Sequence, residues 1–93
     1  LDGHDVSSVQ ALLMMRGDLI EAVVRNKWDK VQVRLNPDII EALHDVDVLS
    51  KDKAGVLKGK KVYFLADNSI HRIDYEIEKI EDEKQVSKKA ILL

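Results

Sequence analysis

The chain of 93 residues has no cysteine, one proline, four glycines and few aromatics, 4% in all. Each scarcity excludes something. Without cysteine there is no disulfide framework, no thiolate zinc site and no cysteine nucleophile, and a reducing, cytoplasmic setting is the expectation. A single proline excludes collagen-like and proline-rich architecture. No second aromatic is interleaved around Trp28, so it reads as a core or rim anchor rather than a platform for stacked bases. No apolar stretch approaches membrane-spanning length, and the first residues lack the basic-then-apolar form of a signal peptide.

What is present is a globular composition, 45% hydrophobic and 34% charged with a net charge of −2, suited to one small domain over residues 1–93. Val6, Val9, Leu12, Leu13, Leu19, Ile20, Val23 and Val24 keep one helical phase, which predicts a helix over Val6–Arg25. Ser7 with Gln10 has the form of a capping box at its start, and Gly17 is its weak point, a place for a bend. Met14-Met15 could be a native start that makes residues 1–13 foreign, but a foreign segment has no reason to hold that phase. Val9, Leu12, Arg16, Leu19 and Val23 fall at alternating three- and four-residue steps, the spacing of a coiled-coil seam. Arg16 within it either snorkels to water or meets a carboxylate.

Lys30–Leu35 alternates, with Val31, Val33 and Leu35 on one side and Lys30, Gln32 and Arg34 on the other, as a half-buried strand does. Asn36-Pro37-Asp38 then caps a helix whose inward face is Ile39, Ile40, Leu43 and Val46. The run Val31–Val46, strand through Asn-Pro cap into helix, resembles the first half of a ribbon-helix-helix DNA-binding protein. That resemblance implies an exposed ribbon face of Lys30, Gln32 and Arg34 touching bases. The chain departs from the family where Ser50–Gly55 and Gly59 interrupt the second helix. Val46–Leu49 reads as a short strand and Ser50–Gly55 as a loop.

Two apolar runs, Val62–Ala66 and Ile70–Ile80, flank Asp67-Asn68-Ser69, whose side chains favour turns, and this predicts a β-hairpin at about 60–80. In its register Phe64 faces Ile73 and Val62 faces Tyr75, so that Val62, Phe64, Ile73, Tyr75 and Ile77 share an apolar face. Ile70, Ile73, Ile77 and Ile80 also fit a helix. Strand is preferred, because β-branched residues lose rotamer freedom in helices and Asp74/Glu78 and Glu78/Asp82 would repel there. Residues 84–93 read as a tail, whose apolar Ala90–Leu93 end adds a strand, docks as a helix or marks a cut before further sequence. The fold class expected is α+β: an N-terminal amphipathic helix and a second short helix on a small, mainly antiparallel sheet.

Chemistry-bearing patterns are thin. His4, His44 and His71 are scattered; Glu41 and His44 form a lone Glu-x-x-His pair without the further ligands a di-iron site needs. Ser50 lies near His44 and Asp47 in sequence, but a triad is defined by geometry. Gly55–Lys60 lacks the spacing of a phosphate loop. No catalytic residue, metal or cofactor is expected, and no membrane partner. The expectation is a small non-enzymatic interaction or assembly module, self-associating through Val9, Leu12, Arg16, Leu19 and Val23. The alternative is a nucleic-acid-binding regulator using Lys30, Arg34 and the lysine-rich segment 51–61, chiefly Lys58, Lys60 and Lys61.

Overall fold

Val31, Val33 and Leu35 are each wholly buried, and a strand whose apolar side is sealed to that degree belongs in the middle of a sheet. The structure, a computed structural model, describes residues 6–93 and puts it there. In chain order the elements are α1 (Val6–Val24), β1 (Lys30–Leu35), α2 (Pro37–Asp45), α3 (Ser50–Ala54), β2 (Lys61–Ala66), β3 (Tyr75–Lys79), a 3-10 turn (Glu83–Gln85) and β4 (Ile91–Leu92). The sheet order is β3-β1-β2-β4. β1 runs parallel to β2 and antiparallel to β3, and β4 is antiparallel to β2. This is a small α+β fold with helices packed on a four-stranded mixed sheet.

The helix-covered face carries Val31, Val33 and Leu35 of β1, Val62 and Phe64 of β2, and Tyr75 and Ile77 of β3. Onto it pack Leu12, Met15, Leu19 and Val23 of α1 and Ile39, Ile40 and Ala42 of α2. Asn36 opens α2 as its sequence demands: its side-chain Oδ1 accepts from Asp38 N–H at 3.0 Å, and Pro37 fills the first turn. Its amide also donates to the Ile70 carbonyl at 3.0 Å, tying the cap to the loop before β3. α1 ends where Lys27 takes a left-handed φ of 58°, a conformation that glycine or asparagine adopts more readily at a helix terminus. No described helix is long and apolar enough to cross a membrane.

The expected hairpin does not form. β2 and β3 are both strands, and Val62, Phe64, Tyr75 and Ile77 do share a face, but β1 lies between them: Val33 is the neighbour of Phe64 on one side and of Ile77 on the other. Both β2 and β3 meet Leu35 at one end, through Ala66 and Tyr75, so residues 67–74 step over the end of β1 instead of turning tightly. Inserting β1 buries a third apolar row and sets the Gln32 and Arg34 side chains against Glu78; a two-stranded hairpin would leave that row to water. Ile73, expected in the apolar face, precedes β3 and is 55% exposed.

Ser7 lies inside α1 rather than capping it. Residues 46–49 are a bend, not a strand, and Ser50–Ala54, expected as a loop, forms α3. Of the three outcomes expected for the apolar end of the chain, the added strand is the one seen: Ile91–Leu92 joins the sheet, and Leu93 packs on the core. His4 lies outside the described residues.

With Phe64 only 3% exposed, Phe64→Ala is expected to destabilise by ~3–5 kcal/mol and Leu35→Ala by ~2–5 kcal/mol. Asp74→Ala, outside the strands, should change little. Denaturant melts of the three variants check this. Equal small losses for all three would remove β1 from the centre of the core.

Candidate functional site

The predicted seam on α1 is consumed by the fold. Leu12, Leu19 and Val23 are core residues, and Val9 is half-buried at their flank. The buried side of α1, formed by Ser8, Ala11, Leu12, Met15, Leu19, Ala22 and Val23, is centred roughly 60° round the helix from the predicted seam, at 100° per residue. Arg16 stands at the border and does find a carboxylate, within its own chain. Its Nε donates to Asp52 Oδ2 at 2.7 Å and its terminal nitrogen to Oδ1 at 2.9 Å. This two-pronged pair clamps α1 to α3, with the Asp52 side chain 8% exposed, and raises the Arg16 pKa above its ordinary value through the hydrogen bond and charge of Asp52. Asp52 escaped the sequence reading because its five-residue helix has no apolar period to reveal it.

Of the residues proposed to touch nucleic acid, Lys30, Lys60 and Lys61 come together at one end of the β1/β2 pair and Arg34 lies toward the other, and each of these four has an acid beside it. Arg34 Nε donates to Glu78 at 3.0 Å and another of its nitrogens to Asp67 at 3.3 Å. Lys60 reaches Asp29 at 2.6 Å, Lys61 is hydrogen-bonded to Glu83, and Lys30 stands 3.9 Å from the same Glu83. Asp29 and Glu83 are accordingly held below the usual carboxylate range by the hydrogen bonds and charges of Lys60 and Lys61. Asp67 is lowered chiefly by hydrogen bonds from Ser69, with Arg34 adding to them. Lys58 sits exposed in the turn before β2, apart from this network. β1 is moreover flanked on both sides by strands of its own chain.

Glu41 and His44 both lie exposed on α2, and among the described residues no three of His, Asp or Glu gather where a metal ion could be held. His44, Asp47 and Ser50 all line one apolar pocket of about 280 Å³, together with Leu43, Phe64 and Leu92 among others. No hydrogen bond joins any two of the three among the described residues, so they make a polar lining rather than a relay. Compared with known proteins, the chain matches no family model, no characterised protein and no solved structure.

What the helix leaves to solvent is a second apolar stripe. Val6 is 72% exposed, Leu13 53%, Met14 62% and Val24 52%, and Ile20 is half-buried. Val6, Gln10, Leu13, Gly17, Ile20 and Val24 lie in one row, roughly 160° round the helix from the centre of the buried side. The signal was in the sequence: Leu13, Ile20 and Val24 belong to the apolar phase of α1 but lie outside the predicted seam, and α1 is apolar on more sides than one sheet can cover.

Tyr75 offers a titration that reports the contact between α1 and β3. Its hydroxyl donates to Asp18, and burial first, then that bond and the Asp18 charge, push its pKa up to about 12. The fold therefore favours the neutral phenol, and this contribution to stability is complete below about pH 10 and lost as pH rises to about 12. In a Tyr63→Phe variant, ultraviolet titration of the one remaining tyrosine should follow that value. Adding Asp18→Asn should bring the midpoint down.

Proposed function

We propose that this chain is a small non-enzymatic assembly module that self-associates through the outer stripe of α1. The observation that carries the reading is the two-sided helix: one apolar side is sealed against the sheet, and the opposite side stands in water. Val6, Leu13 and Val24, each more than half exposed, stand along that side with half-buried Ile20, and contiguous exposed apolar surface marks a contact site.

The spacing favours a second copy as the occupant. Val6, Gln10, Leu13, Gly17, Ile20 and Val24 are separated by steps of four, three, four, three and four residues, a pattern that reads the same from either end. Two antiparallel copies then set Val6 against Val24 and each Leu13 over the other's Gly17. Gly17 fits this role, since a Cβ built there meets nothing within 4 Å in its own chain. The fold does not need a glycine at that point, yet a mid-helix glycine costs ~1 kcal/mol relative to alanine. Close approach of another backbone is the use to which glycine is put. The reading assigns the protein no catalytic residue and no cofactor, and the lack of cysteine suits a cytoplasmic setting.

Two copies joined through one short helix stripe make a smaller contact than permanent interfaces do, so association should depend on concentration. Sedimentation velocity across the micromolar range should show the wild type passing from monomer to dimer. Leu13→Asp, at a residue outside the core, should stay folded and monomeric, and Gly17→Leu should do the same by filling the notch. A wild type that is monomeric at every concentration would overturn the reading. The nucleic-acid alternative would require tight, steeply salt-dependent binding in a filter assay. With Arg34, Lys30, Lys60 and Lys61 already beside carboxylates, none is expected.

A further inference from the structure

The sheet ends on one side at β3, and its outer edge is open. The Ile80 amide donates to the Lys30 carbonyl at 2.9 Å, which sets the alternation along the β1/β3 ladder. Lys30 with Ile80, Gln32 with Glu78 and Arg34 with Glu76 are the hydrogen-bonded pairs. The backbone N–H and C=O groups of Tyr75, Ile77 and Lys79 therefore point away from β1. Among the described residues they have no backbone partner beyond that edge.

Side chains along this edge are sorted by face. Tyr75 and Ile77 lie half-buried on the helix-covered side. Glu76 and Glu78 stand on the open side, with Asp74 just before and Glu81 just after the strand. A second copy of β3 is a poor occupant, because directly opposed residues of an antiparallel pair share a face. Centred on Ile77, such a pair sets Glu76 against Glu78. Shifted by one step it sets Glu76 against Glu76 and Asp74 against Glu78, or else Glu78 against Glu78. Every register opposes like charges. The strand that does bind β3 has the complementary pattern: in β1, Gln32 and Arg34 reach Glu78 at 3.4 and 3.0 Å while Val31, Val33 and Leu35 enter the core.

We propose that the free edge of β3 takes up an extended segment of another protein in which Lys or Arg alternates with branched or aromatic apolar residues. The backbone groups of Tyr75, Ile77 and Lys79 supply the ladder. Glu76 and Glu78 select the basic side chains, and Tyr75 and Ile77 receive the apolar ones. This surface is separate from the outer stripe of α1, and the two can be occupied independently.

The test uses the full chain carrying Leu13→Asp, so that self-association plays no part, and a synthetic peptide alternating Lys with Val. Amide hydrogen exchange followed by NMR should show the Tyr75, Ile77 and Lys79 amides newly protected on binding, with those of Glu76 and Glu78 protected beforehand and unchanged. Glu76→Lys should weaken the peptide about five- to tenfold. Lys79→Pro removes one outward N–H that the sheet does not use, and should abolish protection while circular dichroism stays unchanged. If that variant unfolds, Glu76→Lys carries the comparison alone. An alternating Glu and Val peptide binding as well as the basic one would overturn the proposal. So would equal protection by a peptide of the same composition with its lysines in one block, or protection confined to α1.

Discussion

Everything in this fold depends on the burial of one strand. β1 gives Val31, Val33 and Leu35 wholly to the core, and it is the only strand that both β2 and β3 touch. α1 and α2 then have a continuous apolar floor, and Leu12, Met15, Leu19, Ile39 and Ala42 close over it. Without β1 in that position the sheet would divide into two narrow pieces, neither able to shield a helix from water. On the opposite side of the same strand Gln32 is 2% exposed, yet its side-chain amide oxygen has no hydrogen-bond partner among the described residues, a loss worth ~1–3 kcal/mol that the apolar side of the strand offsets.

Charge is arranged around the same strand. Lys30 and Arg34 stand on either side of Gln32 in one row, and acids come to it from three separate parts of the chain: Glu78 from β3, Asp67 from the loop after β2 and Glu83 from the 3-10 turn. These pairs are partly exposed and screened by salt, so they orient segments more than they stabilise them. Arg16 with Asp52 differs in having one side chain nearly buried and two bonds in fixed geometry. It holds a helix too short to stand alone, and through α3 it positions the polar lining of the apolar pocket.

Two surfaces left open stand out among the described residues, the outer stripe of α1 and the outer edge of β3, a side-chain surface and a backbone surface on one small domain. The first is apolar and palindromic in its spacing, and the second carries Glu76 and Glu78. A like partner proposed for the helix and an unlike one proposed for the sheet rest on these two patterns.

Local pattern determined much of this. The period of α1, the alternation of β1, the Asn36-Pro37 cap and the strand character of residues 75–79 are written in short stretches, because each depends on a residue and its near neighbours. The sorting of Val62, Phe64, Tyr75 and Ile77 to one face followed from alternation alone. What only the tertiary structure decided was adjacency. Period two says which way a side chain points and nothing about which strand lies beside it, so the two runs around Asp67-Asn68-Ser69 looked like partners until β1 came between them. The same limit applied to α1, where an apolar stripe shows that a helix has a face to cover but not what covers it. Leu12 and Leu13 are adjacent in sequence and both apolar. One is sealed and the other is left to water because the single sheet this chain can build reaches only one side of the helix.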